Sequence, residues 1–304
     1  MIKPGIKVGP DDWRERLQKS GARYCEVWFR IDQRHLYQEM FSYLKKQGIN
    51  AGLHFWGILK GGYEPNVAYP GPTLRQTLKL IRHTIDVAAS FKLRYVNIHC
   101  GNRQLIKVNL KKQIFSPIGA GEVSLHDSEN TLEKSWLLLH QYARRQNVLL
   151  LVETVPARTA TGSMLISTSR LKPTSQFAVP VKIILKLAQK HHLFVTNDFC
   201  HTFADEYDQP LDALWRTLYT KSKLLAPYTK LLHLNSVIPP YNGTDSHHGI
   251  TDNDFNLPGI FPPKEKLIEL LKFFKNRNDV WAINEPSHQH TTNFRALTKI
   301  LKLF

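Results

Sequence analysis

The sequence contains few cysteines and no long apolar run, and each absence excludes a class of protein. Its 304 residues include three cysteines, Cys25, Cys100 and Cys200, which are too few and too scattered for a disulfide framework. No stretch approaches the roughly 20 consecutive apolar residues of a membrane span. The first residues, MIKPGIKVGPDDW, lack the apolar core and the cleavage site of a secretory signal. We therefore expect a monomeric cytoplasmic protein without a membrane partner.

Acidic residues are scarce relative to basic ones. The chain has 41 Lys and Arg residues against 25 Asp and Glu residues, which gives a formal net charge of +16 and a pI of about 9.7. Such a balance favours contact with polyanions such as nucleic acid, anionic lipid or phosphorylated metabolites. Part of the charge lies in helical patterns such as KEKLIELLKFFKNR, where lysines commonly form a solvated face. Charge alone therefore leaves polyanion binding and an ordinary soluble surface both open.

Short apolar runs alternate with helical patterns along the chain. Eight runs have the mostly apolar, non-alternating character of strands buried on both faces: IKPGIKV, ARYCEVWF, INAGLHF, LRYVNIH, VLLLVET, LFVTND, KLLHLNS and VWAINEP. Five segments between them have helical spacing: HLYQEMFSYLKKQG, LRQTLKLIRHTIDVAASFK, TLEKSWLLLHQYARRQ, PVKIILKLAQKH and PKEKLIELLKFFKNR. Eight such units predict an α/β fold, a (β/α)8 TIM barrel, in one domain of residues 1–304.

An open, doubly wound sheet is the alternative fold. It would require a glycine-rich phosphate turn after the first strand, and VGPDDW does not supply one. Two long loops, residues 101–130 and 154–180, follow the fourth and fifth runs. Because both follow strands, we expect both loops at the active face of the barrel.

Residues that can bind metals stand at the C-terminal ends of six consecutive runs: His54, His99, Glu153, Asp198 with His201, His233 and Glu285. The segment YNGTDSHHG adds Asp245 and His247. Taken alone, each residue is better interpreted as a hydrogen-bonded structural residue than as a metal ligand. Together they would meet at the barrel mouth, where four carboxylates repel one another unless a cation compensates. His, Asp and Glu ligands without Cys favour Zn²⁺, Mn²⁺ or Fe²⁺, and this number of ligands predicts more than one ion.

These residues lie in motifs that resemble a known family. DFCHTFADEYD closely resembles the Asp-Thr-Cys-His-x-Phe-Ala-x-x-Tyr-Asp segment of endonuclease IV, the family-2 apurinic/apyrimidinic endonucleases. LLHLNS and DSHHGI resemble its next two ligand segments, and VNIHCG, LLLVET and WAINEP fit its other ligand strands in the same order. The resemblance covers the whole barrel and places the chain among xylose isomerase-like TIM barrels.

The resemblance implies up to three Zn²⁺ ions, with Mn²⁺ or another divalent metal as a substitute. It implies nine ligands in three sets: His54, His99 and a bridging Glu153; Glu153, Asp198, His233 and Glu285; His201, Asp245 and His247. The implied reaction is cleavage of DNA on the 5′ side of an abasic site by a metal-bound hydroxide, with Glu153 and Glu285 as catalytic residues. His248 is an alternative to His247, and Asp252 or Asp254 is an alternative to Asp245.

Several residues near these motifs depart from the endonuclease IV pattern. Ser236 replaces an acid, Phe199 a small hydroxyl residue and His248 a glutamate, and Glu285 runs directly into Pro286. None removes an implied ligand, but such neighbours tune metal affinity and activity. Cys200 is expected to pack away from the site.

The segment HFWGILKGGY offers two aromatic residues after the third strand. Trp56 and Tyr63 are candidate substrate-binding side chains, with packing of the loop as the competing interpretation.

Two other functions compete with the endonuclease. Sugar or sugar-phosphate isomerases and epimerases of the same superfamily need Glu153, Asp198, His233 and Glu285 with one or two metals. They do not need the further set of His54, His201, Asp245 and His247, which therefore favours the nuclease. A metal-stabilised nucleic-acid-binding module is the third hypothesis, but it would not require so many ligands at one mouth.

Overall fold

The central element is a closed barrel of eight parallel strands. A computed structural model describes residues 1–109, 114–118, 121–158, 160–161, 172–173, 178–244 and 246–303. Strands are numbered along the chain, and the barrel strands are Lys3–Val8 (β1), Tyr24–Arg30 (β2), Asn50–Trp56 (β3), Tyr95–His99 (β4), Leu149–Glu153 (β7), Val195–Asp198 (β10), Thr229–His233 (β11) and Trp281–Asn284 (β12). They match the eight predicted runs one to one, which confirms the (β/α)8 fold class.

Ten α-helices are present in the described part of the chain: Trp13–Ser20 (α1), Gln38–Lys46 (α2), Pro72–Ser90 (α3), Leu125–Arg145 (α4), Val181–His191 (α5), Phe199–Phe203 (α6), Leu211–Leu225 (α7), Asp252–Phe255 (α8), Lys264–Leu271 (α9) and His290–Leu301 (α10). The five predicted helical patterns correspond to α2, α3, α4, α5 and α9. Within the residues that the structure describes, no helix combines the length and the apolar character needed to cross a bilayer.

The two predicted loops contain regular structure. Ile106–Asn109 (β5) pairs antiparallel with Ile114–Pro117 (β6), and Ala160–Thr161 (β8) pairs with Lys172–Pro173 (β9). The first loop is also shorter than predicted, because α4 begins inside it. The Ser124 hydroxyl accepts a hydrogen bond from the Asp127 backbone N–H and caps that helix. Both segments follow barrel strands at their C-terminal ends, which form the mouth.

The lower half of the barrel interior is apolar. Tyr95, Leu151, Leu231 and Ile283 form one buried cluster there. The absence of a side chain at Gly52 makes room for the Tyr95 ring, since a Cβ at position 52 would lie 2.2 Å from a ring carbon. Two larger apolar clusters join the barrel wall to the surrounding helices. The barrel is therefore a packed core below the mouth, without a channel between these four side chains.

The upper half of the interior is polar, and strand periodicity explains the change. Successive side chains of a strand point to opposite faces, so residues two apart share a face. The residues two positions beyond Leu151, Leu231 and Ile283 are Glu153, His233 and Glu285. Each of these three segments therefore carries an apolar side chain into the lower layer and a carboxylate or imidazole into the layer above.

Candidate metal centre

Eight of the nine predicted ligands come together at the mouth. Among described residues they form three overlapping groups, in each of which the ligand atoms lie within 4.8 Å of one another: His54, His99 and Glu153 (group 1); Glu153, Asp198, His233 and Glu285 (group 2); Asp198, His201 and His247 (group 3). The ninth predicted ligand, Asp245, lies outside the described residues. The groups coincide with the predicted sets, apart from Asp198 in group 3, although the binding of ions there stays a prediction.

Group 1 spans β3, β4 and β7. The Nε2 atom of His54 lies 3.3 Å from Nε2 of His99 and 3.5 Å from Oε2 of Glu153. The His99 Nε2 to Glu153 Oε2 distance is 3.9 Å. Two ligand atoms that are each about 2.1 Å from one zinc ion are roughly 3.0–3.4 Å apart. The spacing in group 1 therefore fits a shared ion after a small adjustment of His99.

Group 2 is arranged around His233, which is fully buried. Its Nδ1 atom lies 3.0 Å from Oε1 of Glu153, 3.1 Å from Oε2 of Glu285 and 3.7 Å from Oδ2 of Asp198. Three carboxylates and one imidazole are a suitable donor set for a divalent metal. In the absence of an ion, burial acts to lower the pKa of His233, but Glu153 and Glu26 outweigh it and raise the pKa to about 9.

Group 3 depends on the first turn of α6. The Oδ1 atom of Asp198 accepts the His201 backbone N–H at 2.9 Å, and this N-cap brings His201 beside Asp198. The other oxygen, Oδ2, lies 3.2 Å from Nε2 of His247 and 3.9 Å from Nδ1 of His201.

The alternatives Asp252 and Asp254 do not belong to any of the groups found among the described residues. The first pairs with Lys264, and the second caps α8 through Thr251.

Glu153 faces more than one group at once. Its Oε2 points to group 1, whereas its Oε1 lies 3.0 Å from His233 Nδ1 and 3.4 Å from His201 Nδ1. The side-chain amide nitrogen of Asn97, Nδ2, donates to Oε2 of Glu153. The Thr196 hydroxyl donates to the side-chain oxygen of Asn97, Oδ1, at 2.7 Å. Burial acts to raise the pKa of Glu153, but His233 and His54 hold it well below its usual range. Glu153 is thus an ionised carboxylate in a bridging orientation.

Two charged residues of the site were not predicted from the sequence. Lys7 on β1 donates from Nζ to Oε2 of Glu26 at 2.7 Å, approaches Nδ1 of His54 to 2.6 Å and forms an ion pair with Glu285. Glu26 on β2 in turn lies 2.9 Å from Nε2 of His233. The sequence did contain a signal for both residues, because each is a charged residue within a mostly apolar strand. An unpaired buried charge is costly, so such a residue indicates a charged partner elsewhere in the barrel.

Aromatic side chains line the site beside His54. The Trp28 ring centroid lies 4.9 Å from that of His54 and 6.1 Å from that of Trp56 in a stacked pair, and the Arg30 guanidinium lies 5.1 Å from the Trp56 ring. Trp56 is therefore next to the mouth, and Trp28 is an aromatic neighbour that was not predicted. Tyr63 lies in the following loop, where its carbonyl accepts the Leu59 N–H. Their contact with substrate stays a prediction.

The residues that depart from the endonuclease IV pattern are accommodated without disturbing the groups. Phe199 and Cys200 are buried in the apolar cluster that α6 shares with α7 and α9, as expected of a packing cysteine. Ser236 exchanges backbone hydrogen bonds with His248, which positions the segment that carries His247.

A comparison with protein families matches residues 15–263 to the family described as xylose isomerase-like TIM barrel. The chain belongs to the xylose isomerase-like TIM barrel family. The match extends over most of the sequence and agrees with the closed eight-stranded barrel. Members of this fold family include enzymes that use divalent metals, which is consistent with the buried His, Asp and Glu groups at the mouth.

Solved structures with the same fold include both nuclease and sugar enzymes. A D-tagatose 3-epimerase-like protein superposes with a TM-score of 0.65 at 13% identity, covering 99% of this chain and 98% of the other. Endonuclease IV from Thermus thermophilus superposes with a TM-score of 0.61 at 16% identity, covering 99% of both. L-ribulose 3-epimerase has a TM-score of 0.65 at 11% identity, covering 100% and 95%. A search of curated proteins found no match. These identities indicate a common fold and leave the reaction open.

Proposed function

We propose that the protein is a metal-dependent phosphodiesterase of the endonuclease IV type, which cleaves DNA at abasic sites. The observation that carries the proposal is group 3. A sugar epimerase or isomerase needs the ligands of group 2, but it does not need a further pair of imidazoles beside Asp198. His201 and His247 form that pair, with ring centroids 5.2 Å apart.

The donor set fits divalent ions in number and type. Groups 1 to 3 contain imidazole nitrogens and carboxylate oxygens at ligand-like spacing and contain no thiolate. This composition suits Zn²⁺, for up to three ions, and Mn²⁺ as a substitute. When bound, such ions act as Lewis acids toward a phosphate and lower the pKa of a coordinated water.

The protein's own residues would divide the remaining work. Glu153 is fully buried and faces groups 1 and 2, so it would fix the separation of their ions. Glu285 is 10% exposed, and its Oε2 belongs to group 2 while Oε1 is held by Lys7. Of these two carboxylates it is the one that a phosphate at the mouth can approach. Because Oε2 belongs to group 2 and Oε1 is paired with Lys7, Glu285 would orient the attacking water rather than take its proton. The net charge of +16 supports a polyanionic substrate.

A sugar or sugar-phosphate epimerase or isomerase is the second candidate, and group 2 is the observation that favours it. Glu153, Asp198, His233 and Glu285 are complete as a single-ion site without groups 1 and 3. Two carboxylates on opposite sides of that ion can move a proton between adjacent carbons. The epimerases among the structural neighbours have the same barrel.

A duplex with one abasic site distinguishes the two candidates. Protein loaded with Zn²⁺ or Mn²⁺ is expected to cut 5′ of the lesion, and both EDTA treatment and Glu153→Gln should abolish the cut. The same preparations are incubated with ketohexoses and their phosphates as the parallel assay. Epimerisation without cutting, in protein shown to hold its metals, would reject the nuclease. Lys19→Met, on the exposed face of α1, serves as the folded control because Lys19 pairs only with nearby surface groups in the described structure.

A further inference from the structure

A fourth group of ligand atoms lies beneath the three already described. It consists of Glu26, His54, His233 and Glu285, whose ligand atoms also lie within 4.8 Å of one another, and we name it the floor group. His54 and His233 each turn one ring nitrogen toward groups 1 and 2 and the other toward the floor group. The floor group is therefore a second layer of the same centre, and nothing in the predicted ligand sets accounts for it.

The spacing in the floor group is that of metal ligands. Oε2 of Glu26 lies 2.9 Å from Nε2 of His233 and 3.7 Å from Nδ1 of His54, and that nitrogen lies 3.2 Å from Oε1 of Glu285. These separations bracket the roughly 3.0–3.4 Å expected for ligands of one ion. The second oxygen of Glu26, Oε1, is buried and accepts no hydrogen bond within 3.5 Å among the described residues, and the Tyr95 hydroxyl is a polar neighbour of this carboxylate. Oε1 would be available to an incoming cation.

The Lys7 side chain fills the space between the ligand atoms of the floor group. The Lys7 ammonium lies 2.7 Å from Oε2 of Glu26 and 2.6 Å from Nδ1 of His54, and it also contacts Glu285. The Lys7 side chain is 6% exposed. A metal ion about 2.1 Å from the same ligand atoms would collide with the Lys7 nitrogen, so the two cations exclude each other. With groups 1 and 2 occupied, such an ion would also take the second ring nitrogen of His54 and of His233, so each ring would release its remaining N–H proton to solvent.

We propose that the Lys7 ammonium occupies a fourth cation position, which the floor group would otherwise offer to a divalent metal. This inference rests on the proposed metal centre, because it concerns how many ions the centre takes. Lys7 lies below groups 1 and 2 and contacts one residue of each, His54 and Glu285. It is a positioning residue for His54 and Glu285, and it limits the metal content of the mouth.

The test is the number of metal ions per chain. Wild-type protein and Lys7→Met protein are equilibrated with Zn²⁺, freed of loosely bound metal and measured by plasma mass spectrometry. Lys7→Met should bind one more ion per chain, because methionine fills similar space without a charge. Lys7→Met combined with Glu26→Gln should return to the wild-type number, because the floor group then loses an anionic ligand. Lys3→Met, on the same strand and outside the floor group, should match the wild type.

An unchanged metal content in folded Lys7→Met protein would overturn the proposal. If that variant folds poorly without metal, thermal unfolding with and without Zn²⁺ gives a second readout. Zn²⁺ should then raise its Tm by more than it raises the wild-type Tm, and an equal rise would also overturn the proposal. This result is independent of the nuclease assay. Lys7→Met protein can bind one ion more than the wild type whether or not the wild-type protein cuts DNA.

Discussion

At the scale of single residues, the mouth is built from side chains that use both of their polar atoms. Glu153 presents one oxygen to group 1 and the other to group 2. His233 presents Nδ1 to group 2 and Nε2 to Glu26. Such an outer carboxylate fixes the orientation and the tautomer of a metal-binding imidazole. The ligand groups are therefore coupled, and a change at one residue should affect neighbouring groups.

Asn97 is the residue whose loss should report on Glu153 alone. Its amide donates to Oε2 of Glu153, and its carbonyl oxygen accepts from Thr196. Asn97→Ala should weaken metal binding or activity by about 10- to 100-fold, as is typical for the loss of a group that orients a ligand. Metal titration followed by single-turnover kinetics measures both. Thr196→Val, which retains the Asn97 side chain but removes the hydroxyl that donates to it, is the milder control, and equal losses in the two variants would contradict the assigned role of the amide.

Metal binding by group 2 should depend on pH through His233. Its pKa is raised to about 9, so in the metal-free protein the imidazole is protonated below that pH, and an ion at Nδ1 must displace a proton. Affinity should therefore rise by about tenfold per pH unit from roughly pH 7 and level off near pH 9. Calorimetry in buffers of different ionisation enthalpy counts the released proton. Glu26→Gln removes one carboxylate that raises this pKa, so its plateau should begin at a lower pH.

At the scale of elements, the eight barrel strands were predictable because each is a short buried run bounded by polar residues. The meeting of their C-terminal carboxylates and imidazoles was predictable because parallel barrel strands all end at the same mouth. Among the described helices, α1, α6, α7, α8 and α10 were not predicted. In α1 the apolar signal consists of two buried side chains, Trp13 and Leu17. Such a short helix is stabilised by packing on the barrel wall more than by its own sequence.

Lys7 and Glu26 were overlooked for a different physical reason. A lysine or glutamate inside an apolar run has no visible partner until the barrel closes, because the partners come from other strands. Lys7 pairs with residues 19 and 278 positions away in the chain. Residue spacing along one strand contains no trace of those neighbours, so the convergence of the mouth residues could be predicted while the lysine among them could not.

Gly52 on β3 provides a test of the lower layer. A Cβ there would overlap the Tyr95 ring, which is almost completely buried and has little space in which to move. Gly52→Ala should lower the free energy of unfolding by about 1–3 kcal/mol or more, as overpacking of a core does. Urea unfolding measures the loss. Adding Tyr95→Leu should recover part of it by making space, and strictly additive losses would show that the two positions do not compete for the same volume.

At the scale of the whole molecule, the dependence on salt separates DNA binding from turnover of a neutral sugar. A protein with a net charge of +16 that binds duplex DNA releases counterions from the phosphates that it neutralises. With six to ten phosphate contacts, DNA affinity should fall roughly 10³- to 10⁵-fold between about 50 and 200 mM salt. Fluorescence anisotropy with a labelled abasic duplex measures the slope. Turnover of a neutral sugar by the same protein would be nearly independent of salt.

The apolar layer of Tyr95, Leu151, Leu231 and Ile283 has a kinetic consequence for the centre above it. Because this layer closes the barrel from below, the proposed metal ions and substrate would have to enter and leave on the same side. A bound product would therefore obstruct the escape of the ions. Inactivation by a chelator should be slower when cleaved abasic DNA is present than when intact duplex of the same length is present. The order of release, product first and metal second, would then be imposed by the shape of the barrel.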